Sequence, residues 1–109
     1  MRHYRFALIL LIAVTFPLSA LYGTDLRGRI DGFNPFTNMP GPLPGIVVTL
    51  FAVMPDGQFT VVRQGVTGPD GMYYLLGVYP GQYVLQIAGV NYPLSVGAFQ
   101  LQDIPIIRR

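Results

Sequence analysis

Residues 67–88, TGPDGMYYLLGVYPGQYVLQIA, alternate turn signals with strand-forming runs, and this alternation decides the fold class. The turn at residues 67–71 combines a proline that fixes φ, an aspartate that bonds to nearby backbone and a glycine that tolerates positive φ. A strand is predicted over residues 72–76, followed by a second turn at residues 79–81. The next run has the period-two pattern of a half-buried strand. Its inward residues are Tyr83, Leu85 and Ile87, alternating with Gln82, Val84 and Gln86.

Similar signals recur along the rest of the chain. Leu26, Gly28 and Ile30 alternate with arginines and predict a first strand. Residues 46–53 predict the clearest strand, and both of its faces are apolar, which a sandwich strand with one solvated face does not require. An Asp-Gly turn then leads to a return strand over residues 59–66. The remaining predictions are a pairing of residues 72–76 with 82–88 and a turn at 89–93. Residues 94–101 and 104–107 then form one or two final strands, and Pro105 indicates an edge.

The segment at residues 31–45 contains four prolines and three glycines, so a long loop without regular structure is predicted there. It carries the apolar residues Phe33, Phe36 and Met39. Two interpretations are open: an apolar contact loop, or side chains that fold back over one end of the domain. The second is slightly favoured.

Seven or so short strands without an amphipathic helix predict an all-β sandwich formed by residues 21–109 as one domain. No internal repeat is present. The residues expected between the two sheets share inward positions of the predicted strands. They are Val48, Leu50, Tyr73, Leu75, Tyr83, Leu85 and Ile87.

Residues 1–20 have the three-part layout of a secretory signal peptide, which predicts an apolar helix ahead of the domain. A basic start is followed by an apolar run over residues 6–16 and then by small residues near Ala20. Cleavage is expected after Ala20, with Gly23 as a second possible site. The alternative is an uncleaved membrane anchor, since the apolar stretch reaches the lower length limit for a span. The expected location is secreted, periplasmic or on the cell surface, and contact with a membrane is expected only through this leader.

The charge pattern argues against nucleic acid as a partner. Without the leader, five arginines balance five aspartates, so residues 21–109 have a net charge of zero. The basic character of the full chain therefore comes from the leader, and a nucleic-acid-binding function loses its support. The chain has no lysine and no glutamate. A surface with so few charges is poorly protected against association, which favours a protein partner or self-assembly.

The sequence lacks the usual side chains of catalytic and metal sites. The only histidine is His3, in the leader, and cysteine is absent. General-base, thiol-nucleophile and transition-metal chemistry therefore lose their ordinary groups. Asp56 and Asp70 each precede a glycine and are explained by turns. No enzyme activity, catalytic residue, metal or cofactor is expected.

Three motifs share a spacing with a known family: PLPGIxVxL at residues 42–50, TxxDGxYxL at 67–75 and GVxPGxYxL at 77–85. In this pattern the chain resembles the carboxypeptidase regulatory-like domains, which are transthyretin-like β-sandwiches similar to bacterial adhesin B-type repeats. The resemblance implies a seven-stranded Greek-key sandwich and an accessory, spacer or binding role in an exported protein. Fold alone does not define function.

The leading functional hypothesis is a non-enzymatic structural subunit of the cell envelope or of an extracellular assembly, which associates through apolar sheet faces and edge strands. The candidate interface residues are Val47, Phe51, Val53, Met72, Tyr74, Leu76, Phe33 and Phe36. The six residues from the strands at 46–53 and 72–76 form one patch if these two strands lie on the same or adjoining sheets. The alternative is a monomeric accessory module that binds carbohydrate or protein, with Tyr74 and Tyr79 as weaker candidates for stacking on a sugar.

The leader generates a first prediction. Protein recovered from the exporting cell should lack residues 1–20, because the basic, apolar and small-residue regions match a cleaved signal. Intact-mass spectrometry of the native protein checks this expectation. Recovery from the membrane of protein that begins at Met1 or Arg2 would contradict cleavage and favour the anchor.

Overall fold

A computed structural model describes residues 23–109, and the predicted signal peptide lies outside these residues. The described part is an all-β sandwich of two sheets, as predicted. Within it, no helix has the length and apolar character needed to cross a membrane. The strands are β1 (Thr24–Asn34), β2 (Met39–Pro42), β3 (Val47–Val53), β4 (Phe59–Val66), β5 (Met72–Val78), β6 (Gly81–Ile87), β7 (Val90–Val96), β8 (Leu101–Asp103) and β9 (Ile107–Arg108).

The first sheet is organised around β1, which pairs with β2 and β5 in the antiparallel sense and with β8 and β9 in the parallel sense. The backbone amide of Ile30 donates to the carbonyl of Gly71, and the carbonyl of Ile30 accepts from the amide of Leu43. Strands β5 and β2 therefore follow each other along one side of β1. The backbone carbonyls of Arg27 and Asp31, at odd positions, accept from the backbone amides of Ile104 and Arg109. Because neighbouring residues of a strand direct their backbone groups to opposite sides, β8 and β9 lie along the other side.

The second sheet has the antiparallel order β4-β3-β6-β7. Phe51 of β3 pairs with Val61 of β4 and Val84 of β6, and Val84 pairs with Pro93 of β7. The four residues of this row therefore share one face of the sheet. Neighbouring residues such as Leu50 and Leu85 point to the opposite face, toward the core.

The core between the sheets confirms the predicted inward positions. Six of the seven predicted residues are buried, and Tyr83 is half-buried and packs against them. Gly28 leaves room for the ring of Tyr73, since a Cβ at that position would overlap the tyrosine. The buried core residues are Leu26, Ile30, Val48, Leu50, Tyr73, Leu75, Val78, Leu85, Ile87, Val96 and Ile104.

The predicted Asp-Gly turns are also confirmed. The amide of Met72 donates to Asp70 Oδ1 at 3.0 Å, and Gly71 has φ of 74°. Gly57 likewise has φ of 85°, in the turn between β3 and β4. Left-handed conformations of this kind are the reason that glycine follows aspartate at both places.

The prediction of a structureless loop over residues 31–45 is wrong. Here β1 continues to Asn34, and the chain turns back as β2 to form a hairpin. The prolines are accommodated because β2 pairs only with β1, and an edge strand tolerates residues that lack an amide hydrogen. We call residues 31–42 the arm.

Two further details of the strand prediction are wrong. Strands β5 and β6 do not pair with each other, because the turn at residues 79–80 carries the chain from the first sheet to the second. The predicted turn at residues 89–93 is shorter, since Ala88 and Gly89 both have positive φ and connect β6 directly to β7. The predicted strand at residues 94–101 is accordingly replaced by β7 and β8, and the chain has nine strands in the described part instead of seven.

The core generates a second prediction. Leu85→Ala should lower the free energy of unfolding by about 2–5 kcal/mol, because it removes a fully buried side chain and leaves a cavity. Leu76→Ala is the matched control, since Leu76 is 59% exposed and should cost about 0.5 kcal/mol or less. Urea unfolding of the two variants measures the difference. Equal losses would show that the inward face has been assigned wrongly.

Tyr73 generates a third prediction, on pH. Burial raises the pKa of Tyr73 from 10.0 to about 12, and its hydroxyl has no hydrogen-bond partner among residues 23–109. Between these pH values the unfolded chain releases a proton that the native protein keeps. The free energy of unfolding therefore falls as pH rises through this window, by about 2–3 kcal/mol at about 1.4 kcal/mol for each pH unit.

Tyr73→Phe is the test of this contribution. It removes both the ionisable group and a buried hydroxyl without a partner, so stability at pH 7 should be equal or higher. Urea unfolding of both proteins from pH 9 to 12 should show a smaller alkaline loss for the variant. Parallel losses in the two proteins would exclude Tyr73 as the group responsible.

Candidate interaction surfaces

The outward face of the second sheet carries an apolar row that crosses all four strands. It consists of Val61, Phe51, Val84 and Pro93, which are successive partners in the sheet register. Val61 is 56% exposed. Strand pairing places such cross-strand neighbours within contact distance of one another. The row is therefore a continuous apolar stripe on the surface of the domain.

A β-bulge aligns β4 with this row. The register between β3 and β4 shifts at Leu50 and Phe51, so Arg63 and Val61 face consecutive residues of β3. The shift brings Phe59 opposite Val53 on the same outward face, and the rings of Phe59 and Phe51 lie 5.7 Å apart between centroids. This distance is typical of an aromatic pair in contact. The stripe is thereby widened at the end of the sheet that carries Phe59 and Val53.

Beside the apolar row, the outward face is polar but uncharged. Gln64 donates to Thr49 at 3.0 Å, and Gln86 donates to Asn91 at 3.1 Å, in the row next to it. Arg63 is the only charged residue in the sequences of the four strands. Its side chain donates to the carbonyl of Leu76, on β5 of the first sheet. We call the outward surface of these four strands the uncharged face.

The outward face of the first sheet differs in character, because it carries two ion pairs. Arg27 binds Asp103 through two hydrogen bonds of 2.7 and 3.1 Å, and Arg29 binds Asp31 at 2.7 Å. The hydrogen bond from Arg27 lowers the pKa of Asp103 and raises that of Arg27 itself. Such exposed pairs contribute little to stability, but they make this face charged.

The predicted interface residues are therefore divided between opposite sides of the sandwich. Val47, Phe51 and Val53 belong to β3 and lie on the uncharged face. The other three strand residues, Met72, Tyr74 and Leu76, belong to β5 in the first sheet. A single patch containing both groups is excluded by this topology. The use of either group as an interface stays a prediction.

The arm presents an apolar tip to solvent. Phe33, Phe36 and Met39 are 58%, 91% and 62% exposed, so the expectation that they fold back over the domain is wrong. The turn is held by Asn34, whose side chain accepts from the amide of Phe36 at 2.9 Å and whose carbonyl accepts from Asn38 at 2.8 Å. Between its base at Asp31 and Pro42 the arm contains no charged residue.

The two sheets meet along two lateral seams, and the first is closed by an arginine. Arg63 of β4 donates to the carbonyls of Leu76 and Gly77 at 2.7 and 3.0 Å, at the end of β5. These carbonyls lie on the edge of the first sheet. Because both carbonyls accept from the guanidinium, they are not available to pair with another strand at this point of the seam.

The second seam, between β7 and residues 101–108, is closed only at one end. There Gln102 donates to the carbonyl of Ser95 at 2.8 Å and accepts from the amide of Gly97 at 2.9 Å. Further along, the seam widens into a cleft of about 180 Å³ between residues 92–94 and 104–107, with Leu85 contributing to its lining. We call this space the seam cleft.

The two tyrosines suggested for sugar stacking do not form one platform. Tyr74 is 54% exposed on the outward face of the first sheet, opposite Arg27 in the register. Tyr79 is 61% exposed in the turn after β5, and its carbonyl accepts from the hydroxyl of Tyr83 at 2.6 Å. The rise of a strand places positions 74 and 79 roughly 15 Å apart, too far for stacking on one sugar ring.

No cluster of three or more histidine, cysteine, aspartate or glutamate side chains that could hold a metal ion occurs in residues 23–109.

The sequence prediction did not include the apolar residues that complete the uncharged face. These are Phe59, Val61, Val84 and Pro93. The Asp-Gly hairpin signal indicated that Val53 and Phe59 are close, but the bulge that brings Val61 to Phe51 has no evident signal in the sequence.

Comparison with known proteins supports the fold. No family model matches the chain, and no curated protein is significantly similar to it in sequence. Among solved structures, a minor pilin of Streptococcus agalactiae superposes with a TM-score of 0.58 at 18% identity, over 78% of this chain and 43% of the pilin. The described domain thus corresponds to less than half of that pilin chain.

Two other solved structures are similar. A Pseudomonas aeruginosa protein with a proposed role in carbohydrate binding gives a TM-score of 0.50 at 14% identity, over 87% of this chain and 98% of that protein. A pilus 2b backbone protein of group B streptococcus gives a TM-score of 0.49 at 14% identity, over 78% of this chain and 40% of that protein. The likeness to the minor pilin and to the Pseudomonas protein shows the β-sandwich fold, while the family that the sequence resembles stays an expectation.

Proposed function

We propose that the protein is a non-enzymatic, exported structural subunit that associates with other proteins of the cell envelope or of an extracellular assembly through its uncharged face. The observation that carries this proposal is the apolar row across four strands, without a charged residue on the same surface. Large contiguous apolar surfaces are uncommon on monomers and usually mark interaction sites. The proposed location, at the cell surface or outside the cell, rests on the predicted signal peptide.

The physical properties of the domain favour association. Residues 21–109 have a net charge of zero, so no long-range repulsion opposes the approach of another copy. The face combines exposed Val61 and Phe59 with a polar row of amide and hydroxyl groups. An apolar centre bordered by polar groups resembles the composition of protein interfaces.

The similarity to pilus proteins is compatible with this role, because it shows that the sandwich fold occurs in proteins described as pilins. A non-enzymatic role is supported by the chemistry of the chain, which has neither cysteine nor glutamate and has its one histidine in the leader. Four aspartates of the described domain have structural roles: Asp31 and Asp103 pair with arginines, and Asp56 and Asp70 accept from turn amides.

A substitution on the uncharged face generates a fourth prediction. Val61→Asp should weaken the assembly while leaving the fold intact, because it places a charge in the contact at a position that is 56% exposed. Phe51→Asp should act in the same direction. Leu76→Asp is the matched control, since Leu76 is similarly exposed on the opposite sheet. Sedimentation velocity, with circular dichroism to check folding, measures the outcome.

The control also separates the two predicted groups of interface residues. Dispersal by Leu76→Asp but not by Val61→Asp would assign the contact to the first sheet and contradict the proposal. Wild-type protein that remains a monomer at high concentration, without a co-purifying partner, would contradict association through either face.

One observation favours a second candidate function, a monomeric module that binds carbohydrate. Tyr74 is exposed beside the Arg27–Asp103 pair, so an aromatic face lies next to groups that can bond to sugar hydroxyls. A solved neighbour with a proposed carbohydrate-binding role has the same fold. Binding of a monomeric wild type to soluble polysaccharide, lost in Tyr74→Ala, would support this alternative.

A further inference from the structure

We propose that the arm of one copy inserts Phe36 into the seam cleft of another copy, which gives the protein a second, head-to-tail contact. This inference rests on the proposed function only in assuming that the protein assembles with itself. Of the residues involved, only Pro93 is shared with the uncharged face, because it lines the cleft and also ends the apolar row. The arm and the cleft are separate features of one chain, so the contact joins two different surfaces.

The dimensions of the two features match. An apolar cavity of about 150 Å³ is large enough to hold a benzene molecule. The seam cleft has a volume of about 180 Å³ and is lined by leucine, isoleucine, proline and tyrosine. The ring of Phe36 is 91% exposed, so it does not occupy a cavity of its own chain. A phenyl ring at the tip of an arm therefore fits the size and the chemistry of the cleft.

The electrostatics are also compatible. The tip of the arm, between Asp31 and Pro42, has no charged residue, and neither do the residues that line the cleft. Burying these surfaces in each other would leave no unpaired charge, which is a major cost in protein contacts. The second copy is favoured as occupant because the same chain supplies both an apolar cleft and an exposed aromatic tip.

The backbone of the arm positions the ring for insertion. Two hydrogen bonds to Asn34, at 2.8 and 2.9 Å, hold the turn that displays Phe36. A preordered tip loses less conformational freedom on binding than a flexible loop would. A contact between unlike surfaces repeats from copy to copy, so it produces a ring or an open chain of subunits.

The test is a mixing experiment with two variants of the protein purified from the exporting cell. Phe36→Asp disables the arm and leaves the cleft intact. Ile106→Asp disables the cleft and leaves the arm intact, and it should fold because Ile106 is 53% exposed. Immobilised Phe36→Asp protein has a working cleft, and soluble Ile106→Asp protein has a working arm. Capture of this soluble variant should be at least about 30-fold tighter than capture of soluble Phe36→Asp protein, which has no working arm. This ratio is the effect of a residue that dominates an interface.

The comparison isolates the arm contact, because the uncharged face is the same in both pairings. Repeating it with Phe51→Asp added to all chains should preserve the difference. Phe99→Asp is the control for a charge at an exposed phenylalanine outside the arm and cleft, and it should not reduce binding. Equal capture of the two soluble variants overturns the arm contact. Failure of the proposed function is seen in a different measurement, in which Phe51→Asp leaves the assembly of the protein unchanged.

Discussion

The first sheet depends on a single strand, because β2, β5, β8 and β9 all pair with β1 and with no other strand of that sheet. The same strand carries the glycine that makes the core possible. A side chain at Gly28 would overlap Tyr73, the largest of the fully buried residues. Pairing and packing are thus coupled at one position. A change that displaces β1 would expose the core side of β5 and remove the support of the C-terminal strands together.

Much of this arrangement could be predicted from local pattern. The alternation of Tyr83, Leu85 and Ile87 defined an inward face that the structure confirms, and both Asp-Gly turns lie where expected. These features depend on residues close in sequence, and period-two burial and turn chemistry are local properties. The assignment of strands to sheets is different, because the turn after β5 permits either a hairpin or a crossing to the second sheet.

The errors have identifiable physical causes. The prolines of the arm suggested a loop because proline lacks a donor, yet β2 needs donors on one side only. The turn before β7 was predicted too long because Ala88 adopts a positive φ of 49°, which is unusual for a residue with a Cβ. The use of Phe51 and Phe36 as interface residues stays a prediction, and no local pattern in the sequence indicated the bulge or the open seam beside β7. Both depend on contacts between distant segments.

The two seams show how a few polar side chains determine which surfaces remain available. Arg63 satisfies carbonyls at the edge of β5 and thereby closes the first seam to another strand. On the other side, Gln102 bridges Ser95 and Gly97, but it reaches only one end of β7. Where no polar side chain bridges the edges, isoleucine and proline line the gap instead, and an apolar cleft results. Edge strands attract new partners unless they are covered, so the seam beside β7 is the more open of the two to another chain.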